Sequence, residues 1–106
     1  MTFNTGAALL DALVLSAVNR SDTYGYKITQ DVRSVVDVSE STLYPVLRRL
    51  QKDGFLAAYD KEYTGRNRRY YTITPNGQER LAECQTEWVA YREKIENLLL
   101  GGIADE

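Results

Sequence analysis

Two acid-free runs hold the side chains of this sequence best suited to chemistry. Residues 41–52 read STLYPVLRRLQK and carry Arg48, Arg49 and Lys52; residues 63–78 carry Arg66, Arg68 and Arg69. An arginine fork matches the O6 and N7 edge of guanine or two oxygens of one phosphate, and lysine meets phosphate as a point charge. At 100° per residue, Leu43, Val46, Leu47 and Leu50 fall in one arc of a helix. Ser41, Pro45, Arg48 and Lys52 fall in the opposite arc, with Tyr44 at its margin. Arg48 then suits a base edge, and Ser41 can donate or accept near the helix N-terminus, where reading helices meet bases. Tyr44 offers a ring to a thymine methyl or a hydroxyl to phosphate, while Arg49 and Lys52 suit the backbone of a duplex. Basic residues on one exposed helix face are common and need no partner. A second basic cluster, on the element expected to flank this helix, is a separate coincidence, and the two together favour double-stranded DNA.

Other chemistries lack their residues. The chain has no histidine and a single cysteine, Cys84. That removes Ser/His and Cys/His nucleophile pairs and any zinc site built from nitrogen and sulfur ligands. The seven glycines are scattered at turns and form no phosphate loop, and no carboxylate cluster converges in the pattern. No enzymatic activity, metal or cofactor is expected. A lone cysteine permits no internal disulfide and fits a reducing compartment. The longest apolar runs, AALL and ALVL, are separated by Asp11 and fall far short of bilayer length. The start MTFNTG lacks the basic segment of a signal peptide, so the expected location is cytoplasmic, with no membrane partner.

The elements that must position the basic runs follow from periodicity. At 106 residues, 43% hydrophobic and 26% charged, one core is expected. Residues 5–19, TGAALLDALVLSAVN, predict a buried helix of about four turns. Asp22 or Thr23 is expected to cap a second helix, YGYKITQDVRSV, with Tyr24, Ile28 and Val32 at intervals of four. Gly25 inside it is about 1 kcal/mol less favourable than alanine, which points to close approach of another backbone or a ligand. The third helix carries the first basic run and ends at Asp53-Gly54. Its N-cap is Ser41 or Ser39: the first choice makes Pro45 remove only the first ladder bond, the second puts it in the second turn. FLAAYDKEY and RRYYTIT, separated by TGRN, predict a hairpin with a basic tip, Tyr71 and Ile73 on one face and Tyr70 and Thr72 on the other.

Thr74-Pro75 then opens the last helix. Leu81, Cys84, Trp88, Tyr91, Ile95 and Leu98 recur in it at alternating steps of three and four, a heptad seam that predicts a homodimer. The expected fold class is mainly α with a β-hairpin (α+β). A winged helix-turn-helix would span residues 1–74, and a C-terminal dimerisation helix and tail residues 75–106. The net charge of −2 does not oppose a DNA partner, because it is unevenly spread. Residues 81–106 carry two basic and six acidic groups, net −4, leaving +2 on residues 1–80. A partner meets the local field over a Debye length, not the total.

The segments YGYKI at 24–28, STLYPVLRRLQKDGFL at 41–56 and GRNRRYYTITPNGQERL at 65–81 resemble the PadR family of bacterial transcriptional regulators in order and spacing. The single terminal helix is similar to the smaller subfamily that includes multidrug-sensing repressors. The resemblance implies a homodimeric winged-helix repressor on a pseudo-palindromic operator, paired through its terminal helices and released by a small aromatic ligand where one exists. Carried onto this chain, the recognition helix is 40–53, with Ser41, Thr42, Tyr44 and Arg48 as DNA contacts. Tyr24, Tyr26 and Lys27 would lie by the sugar-phosphate backbone, and Arg66, Arg68 and Arg69 would form the wing. Core packing accounts for Tyr24 equally well. Trp88 in TEWVAYREKIENLL resembles the tryptophan that stacks planar ligands in multidrug-binding members, although a seam position explains it without a ligand. Cys84 reads as a small buried hydrophobe. Asn67 and Gln51 stand where many members carry Pro and Glu, ordinary surface changes. A protein-interaction module on the same fold, without DNA binding, is the competing reading, and it leaves both acid-free runs without a reason.

Overall fold

Small and branched apolar side chains from Ala7 to Arg20 form helix α1 in the computed structural model, which describes residues 6–101. Val14, Leu15 and Val18 of α1 are wholly buried with Ile28 and Val32 of α2 (Gly25–Arg33) and Leu43, Leu47 and Leu50 of α3 (Glu40–Lys52). Burying each such side chain contributes about 1.5–3 kcal/mol, so this apolar contact set fixes how the three helices lie on one another.

The second helix starts later than its spacing predicts. Thr23 and Tyr24 form a short strand, β1, paired antiparallel with Tyr71 and Tyr70. Neither Asp22 nor Thr23 caps α2; the N-cap position is Tyr24, whose side chain makes no capping bond. A β-branched and an aromatic residue fit a pleated surface, and an open strand edge outcompetes one more helical residue. Gly25 is explained by a side chain rather than a backbone or ligand, since an added Cβ would lie 3.1 Å from Cε1 of Tyr44.

Helix α3 settles its cap on Ser39, whose Oγ accepts from the Thr42 N–H at 3.2 Å. Pro45 therefore lies in the second turn, on the exposed side, where it has no N–H to give the carbonyl of Ser41. The helix ends in a Schellman motif: Gly54 N–H donates to the Gln51 carbonyl at 3.1 Å and Phe55 N–H to that of Leu50 at 2.9 Å. Gly54 takes φ +85° there, which a side chain resists.

Strands β2 (Leu56–Tyr63) and β3 (Arg66–Ile73) pair through a two-residue turn, Thr64-Gly65, shorter than the TGRN linker expected. Both turn residues have positive φ, 50° and 83°, the condition for a type I′ hairpin that keeps strand twist. The sheet order is β1-β3-β2, so β3 is central, with Tyr71 turned into the core.

Helix α4 (Pro75–Leu99) opens as its sequence predicts, Thr74 Oγ1 accepting from Gly77 N–H at 3.0 Å and Pro75 in the first turn. The junction is tight. Thr74 Oγ1 donates to the Gly54 carbonyl at 2.7 Å, and Thr74 N–H donates to that of Phe55 at 3.1 Å. Only Gly77, Leu81 and Cys84 of α4 are buried. Residues 92–99 are exposed throughout, and the molecule measures 63 × 26 × 20 Å, with a helix of about 37 Å reaching past the body. Among the described residues the architecture is four helices and a three-stranded antiparallel sheet, the α+β winged helix-turn-helix expected.

Candidate nucleic-acid interface

The exposed arc of α3 carries Ser41, Thr42, Pro45, Arg48 and Lys52, while its leucines face the core. Ser39 Oγ lies 3.0 Å from both Ser41 Oγ and Thr42 Oγ1, which groups three hydroxyls at the helix N-terminus. Arg48 and Lys52 make no ion pair among the described residues. Tyr44 is half-buried, as its marginal place on the helix predicts. With Tyr24, Gly25, Tyr26, Arg68, Arg69 and Tyr71 it lines an open concavity of about 570 Å³ between the helices and the hairpin. The structure thus brings residues from three separate stretches of sequence onto one surface.

Several basic residues are already engaged. Lys27 Nζ donates to Asp31 Oδ1 at 2.9 Å along α2. Arg69 Nε lies 3.9 Å from Asp60 Oδ1 across the hairpin, a long contact between exposed groups and worth little in water. Tyr26 is exposed, its hydroxyl accepting from Gln30 Nε2 at 3.0 Å. Arg66 is exposed at the turn and makes no ion pair among the described residues. Tyr24 packs edge-on against Tyr70, centroids 5.7 Å apart, so ring packing holds its side chain.

Arg49 departs most from the expected backbone contact. It turns toward α1, where Nη1 donates to Asp11 Oδ2 at 3.3 Å and Nη2 to Oδ1 at 2.5 Å. Its hydrogen bond to that carboxylate holds the guanidinium above its ordinary pKa. Asp11 is 8% exposed, whereas the arginine side chain remains nearly half open to water. The two partners should therefore differ in cost. Arg49→Met strands a buried carboxylate and is expected to destabilise by about 2 kcal/mol, below the usual buried-pair figure because the site is partly wet. Asp11→Ala leaves an arginine that swings into solvent, at about 1 kcal/mol or less. Urea denaturation of both variants at one pH checks the order, and equal losses would contradict it.

The predicted seam divides. Leu81 and Cys84 are buried beside α1, so they serve the chain's own core, and the stripe reaches solvent only from Trp88 onward. Burial pushes the Cys84 thiol upward, opposed by Arg80, so it stays protonated at neutral pH like an inert core group. Trp88, Ile95 and Leu98 are 37%, 41% and 86% exposed, and Trp88 and Tyr91 lie 6.4 Å apart between ring centres. An apolar groove of about 250 Å³ runs between α1 and α4, lined by Leu9, Leu13, Cys84 and Trp88 among others. No helix among the described residues is long and apolar enough to cross a membrane. Sequence reading missed Asp11 as a partner, although an acid inside an apolar helix was a visible signal. It also missed Tyr59, Tyr63 and Tyr70 as a connected group on the wing.

A helix-turn-helix flanked by a two-stranded wing, its exposed helix arc free of acids, defines the winged helix-turn-helix class. The sequence profile described as the transcriptional regulator PadR-like family matches residues 14–83, and the chain belongs to that family. It is similar to the transcriptional regulator Rv3488 of Mycobacterium tuberculosis, with 39% identity over 101 residues, 94% of this chain and 89% of that protein. Among solved structures, smu.1704 from Streptococcus mutans superimposes with a TM-score of 0.86 at 37% identity over the whole of both chains. A PadR-like transcriptional regulator from Bacillus cereus gives 0.81 at 30% identity, covering 90% of this chain and 95% of that one. The chain is a transcriptional regulator by family and not an enzyme.

Proposed function

We propose that the chain is a sequence-specific repressor that binds a pseudo-palindromic DNA operator as a homodimer. The observation that carries this reading is the exposed arc of α3, where Arg48 and Lys52 make no ion pair among the described residues and the hydroxyls of Ser41 and Thr42 gather at the helix N-terminus. Arg48 reads a guanine edge, Ser41, Thr42 and Tyr44 reach neighbouring groups at the helix N-terminus, and Lys52 holds phosphate. Tyr26 and Lys27 flank the backbone, and Arg66 and Arg69 extend the contact from the wing. Pairing uses Trp88, Tyr91, Ile95 and Leu98, which a lone chain leaves partly exposed, Leu98 most of all. The family assignment supports DNA binding in general, and the low net charge is compatible with it because the basic groups are segregated.

Release by a planar aromatic ligand belongs to the same reading, because the groove beside Trp88 is lined mainly by apolar side chains. Footprinting on DNA upstream of the chain's own gene is expected to protect two half-sites about 34–36 Å apart. Affinity should fall with salt, by a log–log slope of about −0.9 per phosphate contacted. Absence of salt-dependent binding to any genomic fragment would sink the proposal in favour of a protein-interaction module. A panel of aromatic cations and phenolic acids that neither quenches Trp88 fluorescence nor releases DNA would remove the ligand from it.

A further inference from the structure

Arg68 occupies an unusual place for a wing arginine. Its guanidinium carbon lies 4.0 Å from the ring centre of Tyr24 and 4.0 Å from that of Tyr63. The register explains the sandwich. Tyr24 pairs with Tyr70 and Tyr63 pairs with Arg66, so Arg68 is the diagonal neighbour of both rings, one on each side of the central strand. Lys61 stands directly opposite Arg68, a like-charge pairing that costs stability on a bare sheet face. The two cations separate onto different rings, Lys61 Nζ lying 5.4 Å from the centre of Tyr70. Tyr70 in turn stacks on Tyr59 at 5.8 Å and 19°, and Tyr59 donates its hydroxyl to Asp22 Oδ2 at 2.8 Å. The stack therefore runs from the segment before β1, across the sheet, to Tyr63 at the hairpin turn.

We propose that Arg68 is a positioning residue: clamped between Tyr24 and Tyr63, it fixes the hairpin tip against β1 so that Arg66 and Arg69 meet DNA. Its guanidinium carbon has a ring 4.0 Å away from the strand on either side, whereas Arg66 is exposed at the turn. The planar ion suits a double stack as an ammonium does not. Tyr63 is half exposed at the last position of β2, and Arg68 is the cation over its ring. This role rests on the proposed DNA binding for its functional outcome, but its structural half is measurable without DNA.

Hydrogen exchange of the free protein at residues 61–69 is the first readout, with α1 and α3 amides as the control for folding. Arg68→Met and Arg68→Lys are both expected to speed exchange at the tip by about tenfold, because neither restores a planar stack. Tyr63→Phe should match the parent chain, Tyr63→Ala should match Arg68→Met, and the double variant Arg68→Met/Tyr63→Ala should be no worse than either. DNA affinity should follow the same order, Arg68→Lys losing nearly as much as Arg68→Met. Unchanged exchange in Arg68→Met overturns the proposal. So does parent-like affinity in Arg68→Lys when Arg68→Met binds weakly, since that marks a plain phosphate contact. The expected exchange changes in a chain that binds no DNA would support the clamp and overturn the proposed function instead.

Discussion

Gly77→Ala is expected to lower the thermal midpoint by about 12 °C or more. The added Cβ would sit 2.1 Å from the Phe55 carbonyl oxygen and 2.7 Å from Ile73 Cγ1, and the first of these atoms is backbone. A flexible side chain could rotate away, but that carbonyl is pinned by the Thr74 N–H. Relief therefore requires the start of α4 to move off the sheet. Such a shift strains the Thr74 bonds to Gly54 and Phe55 and loosens Leu81 in the core. Overpacking of this kind costs about 3 kcal/mol, at the upper end of its usual range, and each kcal/mol lowers the midpoint of a domain this size by about 4–8 °C. Gln78→Ala, one residue along on the exposed side, should change stability by no more than about 0.5 kcal/mol. Calorimetry on the three chains decides the matter, and a Gly77→Ala midpoint within 2–3 °C of the parent, on the order of ~0.5 kcal/mol, would show that the helix start yields easily.

Arg48→Ala is expected to weaken operator binding at least thirtyfold at fixed salt. A bidentate arginine–guanine contact contributes about 1–3 kcal/mol of discrimination, and a symmetric dimer loses two of them. Even the lower bound of about 2 kcal/mol corresponds to roughly thirtyfold. The signature is selective: a randomised operator should lose its preference at one position in each half-site and keep it elsewhere. Stability should not change, because Arg48 is exposed and makes no ion pair among the described residues. Lys52→Ala offers the contrast, a loss shared by all sequences with a shallower salt dependence. Arg48→Ala with parent-like affinity and preference would move base reading to another part of the surface.

Helix α3 was legible because its period is local. Leu43, Leu47 and Leu50 could face only one way, and that set the outward arc of Ser41, Arg48 and Lys52 without tertiary information. The Thr74-Pro75 start of α4 was equally local, a cap followed by a residue that suits the first turn. What escaped depended on partners distant in sequence. Arg49 is taken up by Asp11, which lies 38 positions earlier and meets it only after α1 and α3 have packed. Strand β1 is two residues long and exists because β3 has an edge to offer, so no pattern within TY could announce it. The Arg68 clamp needs the hairpin register and the β1 pairing together. The seam was periodic along its whole length, yet α1 claims its first two positions, and periodicity cannot say which neighbour a stripe will meet.

The overhang of α4 has a consequence for dosage. Ile95 and Leu98, exposed in the single chain, would find their cover in the proposed dimer, and that dimer is the species able to span two half-sites. Below the dissociation constant of the pair, its concentration varies with the square of the chain's, so halving synthesis reduces it about fourfold. Occupancy of the operator would then respond to expression as a threshold rather than in proportion. Dilution by growth would then act as a control input in its own right, set by how strongly one helix pairs with its copy.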